Sequence, residues 1–391
     1  MVAELLQLPL SLYIHVPWCV RKCPYCDFNS HALRGELPES DYVEALLRDL
    51  ELDLPRVWGR RLHSVFLGGG TPSLLSPDAV DRLLAGVRAR LPLAPNAEIT
   101  LEANPGASDI ERFAGYRAAG VNRLSIGIQS FDNAQLAALG RIHGRDEALR
   151  AAEAARLAGF ANFNLDLMFG LPGQSPEAAL ADVRTAMALA PTHLSVYQLT
   201  LEPNTPFHAM PPPLPNDDTL AAMQEAIEQT LASGDFIHYE VSAYAKSGQE
   251  CAHNRNYWEF GDYLGIGAGA HGKITGHEGI LRLARRKQPQ DYLAQAGTLQ
   301  VLAETRRLTP DEAAFEFMLN ALRLVEGVPL ALFSQRTGLP LATVESALEQ
   351  AIRRGMLEER NDVLRPTVHG QHFLNDLIGL FLPTTPSFET R

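Results

Sequence analysis

Between residues 10 and 200 the chain alternates six times between a short apolar run and a helical pattern, and this alternation restricts the fold more than any other feature. The runs are Ser11–Val16, Ser64–Leu67, Glu98–Ala103, Asn122–Gln129, Asn162–Met168 and His193–Thr200; turn residues and amphipathic segments such as Pro38–Leu54 and Pro77–Leu91 follow them. Strands separated by helices cannot pair as hairpins. They form a parallel sheet with right-handed crossovers, either doubly wound or rolled into a barrel. The placement of unusual residues favours the barrel. Cys19, Gly68–Thr71, Glu102–Asn104, Gln129 and Asp166 fall at or just past strand C-termini, the rim on which barrels build their sites. The expected core is therefore a partial (β/α)6 TIM-like barrel.

Beyond residue 200, Pro211–Pro215 reads as a stiff connector, Asp217–Ser233 has helical spacing, and Gly261–Gly272 reads as a glycine-rich loop. Arg282, Arg285, Arg286 and Lys287 interrupt an acidic trend; they form either a solvated basic face or an anion site. From about residue 305 the pattern turns to helices over Pro310–Val325, Pro329–Thr337 and Leu341–Arg354, then a small hairpin over Met356–Leu364. These features predict a core domain over 1–300 and a winged-helix-like domain over 301–391. Such a domain can read DNA, yet from residue 301 onward there are nine Arg, no Lys and twelve Asp or Glu, and the whole chain carries a formal charge of -12. Without a basic excess to release counterions, nucleic acid is not an expected partner, and docking or packing is the expected role of this domain.

The opening Met1–Pro9 lacks the charged and apolar regions of a signal peptide, and no apolar stretch is long enough to span a membrane, so a cytoplasmic protein is expected. Three of the four cysteines, Cys19, Cys23 and Cys26, fall within eight residues at the spacing C-x3-C-x2-C. That is a poor disulfide framework and a good metal-ligand arrangement. Three thiolates on one loop can each hold one iron of a cubane and leave the fourth iron open. Zinc is the rival reading, but a structural zinc site closes with four ligands, and His15 and His31 make no recognisable completing pair. Cys251 stands apart and reads as a small buried hydrophobe.

The segment Trp18-Cys-Val-Arg-Lys-Cys-Pro-Tyr-Cys-Asp27 follows a predicted strand, and Gly68-Gly-Gly-Thr-Pro72 follows the next one. Together they resemble the radical S-adenosylmethionine (SAM) superfamily. The resemblance implies a [4Fe-4S] cluster on Cys19, Cys23 and Cys26, with SAM on the open iron as a source of radical chemistry. It further implies that Tyr13, Tyr25, Gly69, Gly70 and Thr71 lie near SAM, and that Glu102, Gln129, Arg141 and Asp166 contact its polar groups. Taken singly, each of these polar residues could instead satisfy a neighbour on the barrel rim.

Tyr-Ile-His-Val-Pro-Trp-Cys, Gly-Gly-Gly-Thr-Pro-Ser, Gly-Arg-Ile-His and the winged-helix-like tail are similar to the oxygen-independent coproporphyrinogen III oxidase group over nearly the whole chain. That group contains a radical dehydrogenase, which decarboxylates porphyrinogen propionates, and a branch of haem chaperones. Phe28 stands where the dehydrogenase carries a further cysteine, and nine residues before the first strand fall short of its N-terminal extension. His253-Asn-Arg-Asn-Tyr-Trp258 matches the chaperone motif. The resemblance therefore implies haem as a ligand with His253 helping to retain it, and haem-accepting client proteins as partners. The dehydrogenase is the alternative. Without the resemblance, His253 reads as a core histidine between packing aromatics.

Overall fold

The computed structural model describes residues 8–107, 110–359 and 362–383. The six predicted runs become β1 (Leu10–Val16), β2 (Leu62–Gly69), β3 (Leu93–Ala103), β4 (Arg123–Gln129), β5 (Asn162–Phe169) and β6 (His193–Gln198). They are neighbours in chain order, and every adjacent pair is parallel. The helices between them, α1 (Glu39–Asp53), α2 (Pro77–Arg90), α3 (Ile110–Ala119), α4 (Arg145–Leu157) and α5 (Pro176–Ala188), cover the outside. Their starts are written locally: Ser76 and Ser175 each accept a backbone N–H three residues on, at 3.1 and 3.3 Å, with proline at the first helical position. In β1 the period of two separates the layers. Leu10, Leu12, Ile14 and Val16 are fully buried in the main apolar core, whereas Ser11, Tyr13 and His15 face the interior of the curved sheet.

After α6 (Asp217–Ser233), six further strands extend this sheet: β7 (Ile237–Glu240), β8 (Ala243–Ala245), β9 (Asp262–Ile266), β10 (His271–Gly276), β11 (Gly279–Arg285) and β12 (Leu302–Arg307). The order is β12-β11-β10-β9-β1-β2-β3-β4-β5-β6-β8-β7, so the barrel is partial and open. The expectation of a loop over Gly261–Gly272 is corrected here, because β9 lies within it and pairs in parallel with β1. Its glycines serve close backbone approach; a Cβ on Gly265 would stand 1.8 Å from His271 O. Asp262 anchors the strand, fully buried between Arg60 at 2.8 Å and Lys273 at 3.0 Å.

The C-terminal region is helical, with α8 (Pro310–Ala321), α9 (Ala331–Thr337) and α10 (Glu345–Arg353). Thr309 and Glu312 form a capping box at the start of α8. The first two helices are shorter than expected: Leu322 caps α8, and Val328–Pro329 pairs as a short strand with Val363–Leu364. Leu357 bridges Pro366, the fold-back anticipated over Met356–Leu364. Phe317, Phe333 and Leu348 form a second core, which reaches into the barrel region through Tyr239, Phe260 and Ile280. Among the described residues no helix is long and apolar enough to cross a membrane.

Candidate functional site

Cys19, Cys23 and Cys26 lie on the loop leaving β1. The loop is closed by pairing of Trp18–Cys19 with His31–Ala32 and by Cys26 N–H donating to Cys23 O at 3.2 Å. The thiols are unpaired, and all three line a cavity of about 150 Å³. Burial raises the pKa of the Cys19 and Cys26 thiols, so an iron ligated there must displace their protons. Arg141 brings Nη1 within 3.7 Å of Cys23 Sγ, a cation beside the site of a thiolate. Among the described residues no three His, Cys, Asp or Glu side chains converge as the ligands of one ion. The three thiols share the wall of one cavity, a donor set whose chemistry suits a cubane in which each takes a separate iron.

The other wall of this cavity is made by strand C-termini. Gly70 N–H donates to Val16 O at 2.8 Å, and a Cβ on Gly70 would stand 2.5 Å from Trp18 O, so the end of β2 touches the thiol loop backbone to backbone. Gly69 has φ 111°, and its N–H donates to Glu102 Oε2 at 3.1 Å. Asn104 links Thr71, at 2.9 Å, to Arg141, at 2.6 Å, and Arg141 also donates to Gly127 O at 2.8 Å. Asp166 is held by Asn164 at 2.7 Å and Ser125 at 3.1 Å. Gln129 ends β4 with φ 70° and accepts from Tyr197 OH at 2.7 Å. Burial, reinforced by the Asp166 carboxylate, pushes the Glu102 pKa up to about 8, and burial raises that of Asp166 as well. With Tyr25 this wall offers backbone donors and two carboxyls, chemistry that suits a ligand carrying amino, carboxylate and hydroxyl groups.

A second cavity, of about 880 Å³, adjoins the first and shares Cys26, Phe28, Gly69 and Glu102 with it. Its wall includes His253, on α7 (Ala252–Trp258). Glu98 of β3 fixes the start of that helix, accepting from Ala252 N–H at 3.1 Å and His253 N–H at 3.2 Å. Asn256, one turn on, donates to Ser11 Oγ at 2.9 Å. The His253 ring is 3% exposed and sits 5.0 Å from the Phe66 ring, 6.1 Å from Tyr257 and 6.3 Å from Tyr13. Burial, with Arg123 nearby, lowers its pKa to about 3, so the imidazole is neutral.

The tautomer follows from its neighbours. Ser64 donates its hydroxyl proton to Ser11 Oγ at 2.7 Å and stands 3.0 Å from His253 Nδ1. Ser64 can therefore only accept there; Nδ1 carries the proton, and Nε2 keeps a free lone pair. Nε2 is buried with no hydrogen-bond partner. Buried polar atoms are normally satisfied, and an unpaired imidazole nitrogen on a residue that lines a cavity is a candidate donor to a metal-bearing ligand. The aromatic wall and the volume suit a flat apolar macrocycle.

The structure thus gathers the three thiols, Tyr25, Gly69, Gly70, Thr71, Glu102, Gln129, Arg141 and Asp166 around the smaller cavity. Tyr13, expected near the same ligand, instead lines the larger one beside His253. It lies mid-strand, one layer below the rim, where its OH meets His15 Nδ1 at 3.0 Å. Cys251 is fully buried and donates to Glu98 at 3.5 Å. Sequence reasoning missed Ser11, Ser64, Glu98, Phe66 and Tyr197. For Ser11, Ser64, Glu98 and Tyr197 the available signal was a polar residue within an otherwise apolar strand; Phe66 carried none.

The Radical SAM superfamily profile matches residues 13–186, and the HemN C-terminal domain profile matches residues 308–373. The protein called Heme chaperone HemW of Escherichia coli (strain K12) is 53% identical over 375 residues, covering 96% of this chain and 98% of that one. Its namesake in Bacillus subtilis (strain 168) is 34% identical over 378 residues, covering 95% and 99%. Radical S-adenosyl methionine domain-containing protein 1, mitochondrial, of Mus musculus is 37% identical over 390 residues, covering 95% and 87%. Among solved structures, coproporphyrinogen III oxidase (HemN) from Escherichia coli, described as a radical SAM enzyme, superposes with a TM-score of 0.82 at 24% identity over 97% of this chain and 91% of that one, a likeness of fold.

Proposed function

Since this chain belongs to the radical SAM superfamily and, within it, to the family of the heme chaperone HemW proteins, we propose that it is a cytoplasmic haem carrier. In this reading Cys19, Cys23 and Cys26 hold a [4Fe-4S] cluster beside SAM, His253 retains haem in the adjoining cavity, and haem passes from there to client proteins. The observation that carries the reading is the neutral His253 imidazole, whose Nε2 lies buried and unpaired in the wall of the aromatic cavity of about 880 Å³.

The residues divide the work. Glu98 fixes where His253 stands by capping α7, and Ser64 holds its Nδ1 proton. Phe66, Tyr13 and Tyr257, whose rings surround His253, would offer flat apolar surface to a macrocycle and keep water from the imidazole. In the smaller cavity, Gly69 and Gly70 bring backbone close to a ligand, and Arg141 places a guanidinium 3.7 Å from Cys23 Sγ. Cys19, Cys23 and Cys26 would hold a cluster able to supply single electrons to SAM bound in the same cavity.

The test is anaerobic reconstitution of the full chain, followed by haem titration and, in parallel, an assay for SAM-dependent decarboxylation of coproporphyrinogen III. The expected outcome is near-stoichiometric haem uptake, weakened about 100-fold or more by His253→Ala because the variant removes a ligand outright, with no porphyrinogen turnover. Unchanged haem affinity in His253→Ala would remove this residue from the site. Turnover of coproporphyrinogen would replace the carrier by the dehydrogenase.

A further inference from the structure

The fold divides the basic run Arg282, Arg285, Arg286 and Lys287. Arg285 is buried against Asp49 and Asp53 of α1. Arg282 donates through Nε to Glu316 Oε2 at 2.9 Å and also meets Tyr263 OH. Arg286 donates to Gln300 O at 2.6 Å. Lys287 is exposed, enters no ion pair among the described residues and, alone of the four, lines the larger cavity.

Its place there is fixed by the thiol loop. Asn29 Nδ2 donates to Lys287 O and to Ala268 O, both at 2.9 Å, so the segment after β11 is tied directly to the residues following Cys26. Gly269 lets that tie form, since a Cβ on it would stand 2.4 Å from Asn29 Nδ2. From the loop itself comes a second cation lining the same cavity. Lys22 is exposed, and its Nζ is steadied by Phe28 O at 3.0 Å. His271 also lines this edge, close enough to Lys287 and Arg282 to be held toward its neutral form behind the effect of burial. Two acids line the same cavity, the exposed Asp27 and Glu102, which accepts from Gly69 N–H.

The cavity is therefore polarised. Deep inside are an unpaired neutral imidazole and aromatic faces; at the exposed edge are two ammonium groups from segments far apart in sequence. Haem has the matching polarity, an apolar disc with a central iron and two carboxylates on one edge. We propose that Lys22 and Lys287 form an anion clamp at the mouth of the larger cavity, and that it takes the two propionate groups of a haem whose iron faces His253. This rests on the haem-carrier reading above and adds the orientation of the ligand: propionates outward at the thiol-loop rim, iron inward. It also gives the clamp a discriminating role, since a macrocycle without ionised side chains loses both contacts.

The experiment titrates the reconstituted full chain, and its Lys22→Ala/Lys287→Ala and His253→Ala variants, with haem and with haem dimethyl ester, followed by Soret absorbance. The double variant should bind haem about tenfold more weakly than the parent, the scale of two exposed charge contacts, and should bind the ester as the parent does. The parent should prefer haem to the ester by a similar factor, and that preference should shrink at high salt. Equal affinity of the parent for haem and ester overturns the clamp. So does a double variant that loses both ligands alike, because that is damage to the cavity rather than loss of a carboxylate contact. If the parent takes up neither ligand, the carrier reading itself fails. If haem binds through His253 yet ignores esterification and both lysines, the clamp alone fails.

Discussion

The two cavities that meet at Cys26, Phe28, Gly69 and Glu102 are built on opposite plans. In the smaller, the polar groups are paired before any ligand arrives: Thr71 to Asn104, Asn104 to Arg141, Gln129 to Tyr197, Asp166 to Ser125 and Asn164. In the wall of the larger, His253 Nε2 and Trp258 Nε1 are buried without partners. The first is a preorganised polar cradle, in which a ligand gains from groups already in position. The second carries an unmet demand, about 1–3 kcal/mol for each buried unsatisfied group, which a ligand relieves on binding. A shared wall between such different sites predicts that they can be disabled one at a time.

The largest expected effect comes from removing the thiols. Cys19→Ser, Cys23→Ser and Cys26→Ser combined should take iron and sulfide content to background, with loss of the cluster's visible absorption, because no other described residues offer a comparable donor set. Haem uptake should fall by less than about threefold, since His253 stands on α7 and its supports Ser64 and Glu98 lie on β2 and β3. Iron analysis and a Soret titration on the same preparation decide it. Haem affinity that collapses with the cluster would show a single site rather than two.

An intermediate effect tests the opposite wall. Ser64→Ala leaves the Nδ1 proton of His253 without an acceptor and frees the ring to take the other tautomer. Loss of such an outer partner typically costs about 10- to 100-fold in metal affinity. Haem affinity should drop on that scale while cluster content stays at the parent level. A variant with unchanged haem affinity and Soret position would mean that Ser64 does not set the tautomer.

The same contrast explains what could be read from the chain beforehand. The smaller cavity was legible because its residues hang on the C-terminal ends of consecutive strands, each beside a recognisable cluster such as Gly68–Thr71 or Glu102–Asn104. The barrel was legible for the same reason, since its period repeats locally. The larger cavity draws on β1, β2, α7 and the segment after β11, and no local pattern announces that Ser64 meets His253 or that Asn29 meets Lys287. Strand β9 was hidden because glycines that permit close backbone approach look like loop residues in a sequence. The run from Arg282 to Lys287 resisted reading as one face because strand alternation in β11 sends Arg282 and Arg285 to different sides, toward Glu316 and toward Asp49.

The smallest effect is a difference in how the two cavities respond to pH in iron-free protein. Glu102 has its pKa raised from 4.5 to about 8, so between those values the native chain keeps a proton that the unfolded chain has released. Stability linked to Glu102 therefore falls as pH rises through that window, with a slope no steeper than about 1.4 kcal/mol per pH unit, and the raised Asp166 adds in the same sense. His253 acts oppositely. Its pKa is lowered from 6.5 to about 3, so on acidification below about 6.5 the unfolded chain gains a proton that the native chain refuses, and stability falls as pH falls. Thermal midpoints measured across both windows should show the alkaline decline flattened in Glu102→Gln and the acid decline reduced in His253→Gln, each variant leaving the other limb unchanged. If Glu102→Gln melts in parallel with the parent from about pH 4.5 to about pH 8, its carboxyl is ionised in the folded chain. The smaller cavity would then present a carboxylate where the present geometry offers a neutral acid.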